Sequence, residues 1–284
     1  MKIGVVFPQT EIGSDPEMVA KFATSAESLG YDHILAYDHV LGANTKSRPD
    51  WQGPYTTESM FQEPLVLFSY LAGLTTSIEL VTAVIILPQR QTALVAKQAA
   101  CVDVLSKGRL RLGIGTGWND VEYEALGENF HDRGRRSEEQ IELLRRLWRE
   151  DAITFEGKWH KVTDAGINPL PVNKDIPIWL GGMAPNVIDR VARLANGWFP
   201  FMNKNLGTQI KQMHEGAERA GRDPGSIGIE CMIPAGIDAE RLKELEAMGV
   251  SHVAVVTMNQ DLPDPGSHIN AISEARELLA KTFD

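Results

Sequence analysis

Two stretches hold residue types and spacings that could do chemistry. Asp38-His39 closes the apolar run Tyr31–Tyr37 and sets a carboxylate beside a side chain that exchanges protons near neutral pH. Read locally, the pair is either an acid–base unit at the end of a strand or a loop-fixing histidine next to a capping aspartate. In the second stretch, Ile176–Phe201, an apolar run is followed by Gly181-Gly182 and then by Pro185, a residue that starts helices. Amides from Met183 to Val187 would point outward at the positive end of the helix dipole, where a phosphate sits without a basic side chain. The same glycines also suit a plain tight turn. Gly113–Gly117 (GIGTG) allows a flat or phosphorylated ligand to lie against backbone, or simply close packing. Trp51, Trp118, Trp198 and Phe201 suit the walls of an apolar pocket, and Lys204 offers a cation just beyond Phe201. His33 falls inside a strand and reads as packed. No two histidines lie at a metal-binding interval, so no metal site is expected.

The elements that must position these residues alternate. Strands read at Lys2–Phe7, Tyr31–Tyr37, Ile78–Leu87, Arg109–Ile114, Ile176–Leu180, Gly197–Phe201, Ser226–Ile233 and Ser251–Thr257. Amphipathic helices read at Asp15–Leu29, Gln62–Thr75, Gln91–Leu105, Arg135–Arg149, Pro185–Ala195, Leu206–Arg219, Ala239–Met248 and Ser267–Phe283. Near-continuous apolar strands between such helices indicate a parallel sheet covered on its outside. Eight strand–helix units predict a single (β/α)8 TIM barrel over residues 1–284, with an insertion at about 119–175 that carries a short helix at Asn119–Leu126 and a hairpin from Ile153. The rival is a doubly wound sheet, whose dinucleotide fingerprint would follow the first strand, where FPQTEIGSD stands instead. In a barrel, function gathers after the strands' C-terminal ends. The glycine turn after strand five departs from the commoner phosphate position after strands seven and eight. Asp38–Phe61 is a long loop rich in Gly, Pro and aromatics, a length that usually serves function.

A net charge of −10 without a basic block argues against nucleic acid as a partner. The start MKIGVVFPQ reads as a strand and not a signal, and no apolar run reaches membrane-spanning length. Cys101 and Cys231 lie far apart in apolar runs and read as buried thiols of a cytoplasmic protein.

Five ordered motifs then carry a resemblance that runs nearly end to end: Asp38-His39, GRLRLGIGTGWNDVEYEALG at Gly108–Gly127, RGRRSEEQIELLRRLW at Arg133–Trp148, ITFEGKWHKV at Ile153–Val162, and IPIWLGGMAP with ARLANGWFP between Ile176 and Pro200. The chain resembles the luciferase-like monooxygenase superfamily, in its branch of deazaflavin (coenzyme F420)-dependent or FMN-dependent oxidoreductases. The resemblance implies a cofactor across the barrel mouth, its ring against a distortion of strand three at Thr82, Ala83 and Val84 that often includes a non-proline cis peptide. It implies cofactor contacts at Asp38 and at the Thr116-Gly117 backbone, catalysis by His39, and a phosphate cradle at Gly181, Gly182, Met183 and Ala184. Trp118 stands where sugar-phosphate dehydrogenases of the family carry a glutamate, so their substrate chemistry is not carried over, while Lys204 matches their substrate-phosphate lysine. The implied activity is hydride transfer between coenzyme F420 and a small organic substrate under the Asp38–Phe61 loop, in a pocket shaped by Trp51, Trp118 and Phe201. The alternatives are an FMN-dependent monooxygenase and a non-catalytic flavin-binding protein. Relatives that pair through helices beside strands two and three imply a homodimer.

Overall fold

A computed structural model describes residues 1–283. The chain opens with β1 (Lys2–Val6), α1 (Pro16–Ser28) and β2 (His33–Ala36). Pro16 occupies the first turn of α1 and the Asp15 side chain accepts the Glu17 amide, so the helix start is fixed by local chemistry. Val19, Phe22, Ala23 and Ala26 then bury one face of it. Next come α2 (Pro64–Leu74), β3 (Glu79–Thr82), β4 (Ile85–Ile86), α3 (Thr92–Leu105) and β5 (Leu110–Gly115). Between β5 and β8 (Ile178–Gly181) lie α4 (Asp120–Ala125), α5 (Arg133–Arg149) and the antiparallel hairpin β6 (Ile153–Glu156) and β7 (Lys161–Ala165). The remainder is α6 (Pro185–Leu194), β9 (Gly197–Phe199), α7 (Leu206–Arg219), β10 (Gly228–Pro234), α8 (Ala239–Ala247), β11 (His252–Val256) and α9 (Pro265–Phe283).

Eight parallel strands close on themselves in the order β1, β2, β3, β5, β8, β9, β10, β11, with β11 pairing back onto β1. This is the predicted (β/α)8 barrel. One expected element differs: the run Ile78–Leu87 is two strands, parted at Ala83 and Val84, whose peptide bond is cis. Upstream of the break β3 pairs with both β2 and β5, whereas β4 pairs with β5.

The main apolar core lies between the strands and the outer helices, and alternation along each strand turns the other residues into the barrel. Val6, Leu35, Val81, Phe199 and Ala254 fill the middle of that interior. Toward the strands' N-terminal ends sits a buried polar layer. His33 Nε2 is 2.5 Å from Glu230 Oε1, Arg111 Nη1 donates to Glu230 Oε2 at 2.7 Å, and the guanidinium lies 4.3 Å from the Trp179 ring centre. Only glycine fits opposite these side chains: a Cβ on Gly4 would stand 2.1 Å from His33 Nε2, and one on Gly197 would stand 2.2 Å from the Trp179 ring. Cys231 is buried as expected, whereas Cys101 is half-buried; neither is in a disulfide.

Candidate active site

The C-terminal ends of the strands surround a cavity of about 480 Å³. Asp38 and His39 enter it directly after β2, Ala83 and Val84 from the break in strand three, and Thr116, Gly117 and Trp118 from the turn after β5. Gly181, Gly182, Met183 and Ala184 form the wall after β8, with Phe201 following β9. Twelve of the residues singled out in the sequence therefore share one cavity.

Others do not line it. Thr82 is fully buried and donates its hydroxyl to the Gly113 carbonyl at 2.8 Å, which ties β3 to β5. Trp51 sits behind the wall, with its ring centre 5.7 Å from that of Trp118 and its Nε1 donating to the Tyr55 carbonyl. Lys204 lies outside the lining, exposed in the turn before α7, so the sequence-based placing of this cation in the substrate pocket is not met. Trp198 is corrected too: it is fully buried in the outer core and donates Nε1 to the Gly182 carbonyl at 2.8 Å.

His39 is held by a residue that the sequence reading passed over. Glu122 Oε1 is 3.1 Å from His39 Nδ1, and the same oxygen accepts the amides of Val40 at 2.9 Å and Leu41 at 3.2 Å. Its other oxygen accepts Gln89 Nε2 at 3.0 Å. Burial alone would raise the Glu122 carboxyl, yet the bonds from His39, Gln89 and the loop backbone outweigh it and lower the group below its ordinary value, so Glu122 is a carboxylate. The short helix α4 delivers it: the Asn119 side chain caps the helix by accepting the Val121 amide and donates to the Leu41 carbonyl. A carboxylate on Nδ1 fixes the ring's orientation and assigns the N–H to that side in the neutral form. Nε2 has no hydrogen-bond partner among the described residues.

Asp38 is equally constrained. It is 3 % exposed, its Oδ1 accepts Arg90 Nη2 at 2.7 Å and its Oδ2 accepts the Ile86 amide at 2.9 Å. Arg90 Nη1 reaches Glu63 Oε1 at 2.9 Å, so one guanidinium joins both ends of the loop between β2 and α2. That loop brings Tyr55 and Phe61 to 4.6 Å and 4.9 Å from His39 between ring centres. Tyr37, Tyr55, Phe199 and Met232 also line the cavity, and Glu230 reaches its floor. Simple strand alternation marks Tyr37, two positions beyond Leu35, as facing the interior; Tyr55, Phe61 and Glu122 have no such local signal.

The glycine wall fits a phosphorylated planar cofactor. Val84 projects between β5 and β8 so closely that a Cβ on Gly115 would lie 2.4 Å from it and one on Gly181 3.0 Å. Helix α6 starts at Pro185, which has no N–H, and the Val187 amide, expected to point outward, bonds instead to the Ala184 carbonyl at 2.8 Å, as does that of Ile188 at 3.0 Å. The amides of Met183, Ala184 and Asn186 are the ones without a partner among the described residues that an anion could use. Gly182 holds φ +124°, a conformation L side chains avoid, and its carbonyl is pinned by Trp198. Among the described residues no group of three or more His, Cys, Asp or Glu could hold a metal ion, and no helix is long and apolar enough to cross a membrane.

A sequence model of the luciferase-like monooxygenase family matches residues 1–272. An FMNH2-dependent dimethylsulfone monooxygenase of Pseudomonas fluorescens is 32 % identical over 262 residues, covering 90 % of this chain and 64 % of that protein. An F420-dependent glucose-6-phosphate dehydrogenase of Kineococcus radiotolerans is 28 % identical over 239 residues, covering 81 % of this chain and 67 % of that one. The coenzyme F420-dependent tetrahydromethanopterin reductase of Methanopyrus kandleri shares the fold with a TM-score of 0.78 at 16 % identity, covering 100 % of this chain and 99 % of that one.

Proposed function

The chain belongs to the luciferase-like monooxygenase family and is an oxidoreductase, and from that premise we propose that it is a deazaflavin (coenzyme F420)-dependent enzyme acting on a small organic substrate. The observation that carries this reading is the His39–Glu122 pair at the cavity edge, with Nδ1 engaged and Nε2 left for a substrate. When bound, the reduced cofactor would supply the hydride that turns a carbonyl into an alcohol, and the oxidised cofactor would accept it in the reverse direction. His39 Nε2 gives the accompanying proton to the substrate oxygen, or takes it back, and the Glu122 carboxylate stabilises the imidazolium form. Val84 and the glycines at 115, 117 and 181 supply a flat surface for the ring. Gly181 and Gly182 shape the cradle, and the amides of Met183 and Ala184, just before α6, are offered to the cofactor's phosphate.

FMN is the second reading, favoured by the 32 % identity to the FMNH2-dependent monooxygenase. Reduced FMN would activate dioxygen, for which the same cradle suffices. Titrating the purified protein with each reduced cofactor, then following oxygen uptake during turnover, separates them. Tight F420 binding with no oxygen uptake supports the first reading; tight FMN binding with stoichiometric uptake overturns it.

The same reading includes a homodimer and a cytoplasmic setting. Val66, Tyr70 and Leu74 on α2 and Leu94 and Leu105 on α3 are exposed along adjoining helix faces, an apolar area that a second copy could cover. The two cysteines are free thiols, in keeping with a reducing compartment.

A further inference from the structure

We propose that the substrate seated against His39 is an uncharged ring compound, a cyclic or aromatic ketone or aldehyde or its alcohol, and that an ionised group on the ring is rejected. This deepens the oxidoreductase reading and rests on it.

The first support is the wall around His39. Besides Tyr55 and Phe61, the Trp118 ring lies 5.7 Å from the imidazole, and Tyr55 and Phe61 pack edge to face at 4.7 Å. Trp51 backs Trp118, and a Cβ on Gly53 would run into both indoles at 2.5 Å and 2.4 Å, so the loop backbone closes over them. Across the cavity stand Phe199, Phe201 and Met232. Such surfaces reward a ring that stacks or meets them edge-on, and they offer few hydrogen bonds to a polyhydroxylated chain.

The second support is the charge inventory. Among the lining residues there is no lysine or arginine, and Lys204 lies outside. Each carboxylate on the lining already has its counter-groups: Asp38 has Arg90 and the Ile86 amide, Glu122 has His39, Gln89 and two loop amides, and Glu230 has His33 and Arg111. An anionic substrate would lose its water and meet no cation, and the amides of Met183 and Ala184 serve the cofactor phosphate in this reading. A cationic one would find only carboxylates whose lone pairs are already engaged.

Calorimetric titration of the cofactor-loaded protein with one ring in three forms tests this: 4-methylcyclohexanone, 4-oxocyclohexanecarboxylate and the ammonium analogue, with glucose 6-phosphate as a fourth ligand. The uncharged ketone is expected to bind at least tenfold more tightly than each charged ligand. A smaller ratio, or no binding of the uncharged ring, overturns the proposal. Trp118→Lys is expected to narrow the ketone-to-carboxylate ratio at least fivefold while Trp118→Phe keeps it; equal ratios in the two variants also overturn it. Binding needs no turnover, so a protein with this preference that never reduces or oxidises the ring counts against carbonyl–alcohol hydride transfer on such rings and leaves the pocket's selectivity standing.

Discussion

Glu122 Oε1 holds His39 Nδ1 at 3.1 Å and, through the same oxygen, the amides of the next two loop residues, so the proton-carrying ring and the start of the loop above it share one anchor. In Glu122→Gln the shape is kept and the charge is lost. Turnover should fall ~10- to 100-fold. His39→Ala should cost ~10²- to 10⁴-fold with cofactor binding retained. Steady-state rates decide it: a Glu122→Gln turnover equal to the parent's would show the carboxylate to be only a loop anchor.

Arg90 spans Asp38 and Glu63, 2.7 Å and 2.9 Å away, and both partners favour its charged form against the effect of burial. Arg90→Met leaves the Asp38 carboxylate buried without its cation, and breaking such a pair costs about 3–5 kcal/mol. Adding Asp38→Asn should return part of that loss, since the orphaned charge disappears. Urea unfolding of the two single variants and the double variant measures the coupling. Strict additivity would mean that the pair holds neither end of the loop.

Gly115 and Gly181 flank Val84 with no room for a methyl group between. Gly115→Ala must push Val84 into the cavity or spread β4 from β5, at a cost of about 1–3 kcal/mol. Cofactor affinity should fall at least ~10-fold, since one added methyl already costs a close contact. Val84→Ala in that background should restore it, which fluorescence titration of the cofactor can follow. Gly181→Ala, with a 3.0 Å approach, should be milder.

The barrel was legible in the chain because each strand and helix carries its own local signal: apolar runs at strand spacing, and Pro or Asp at helix starts. Asp38-His39 and Gly181-Gly182 were legible for a related reason, since both immediately follow strands whose ends a barrel gathers at one mouth. Glu122 was not, because its role depends on a contact with a histidine 83 residues away, and nothing in NDVEYEALG distinguishes it from its acidic neighbours Asp120 and Glu124. Trp198 and Lys204 illustrate the converse. Trp198 lies in β9 and Lys204 soon after it, but alternation sends Trp198 to the outer core, and the turn before α7 carries Lys204 into solvent. The break within Ile78–Leu87 has no mark in composition, because Ala83 and Val84 are as apolar as the residues around them; the family resemblance alone pointed there.

The buried polar layer beneath the cavity should set the protein's response to acid. Burial would raise the Glu230 carboxyl, but His33 and Arg111 outweigh it and hold the group at about 2 against an ordinary 4.5. Burial and the nearby Arg111 push His252 down to about 3 from 6.5, so it stays neutral in the folded chain. Both folded values lie below the unfolded ones, so unfolding takes up protons as pH falls. Stability is therefore full above pH 6.5, declines first as unfolded His252 titrates, declines further below 4.5 as unfolded Glu230 does, and is lost through about 2. The slope is ~1.4 kcal/mol per pH unit for each proton taken up. His252→Asn should flatten the curve between pH 6.5 and 4.5 and leave the lower limb in place. Melting temperatures measured through this range check the assignment: a variant whose upper limb still tracks the parent's would move the acid response away from this layer.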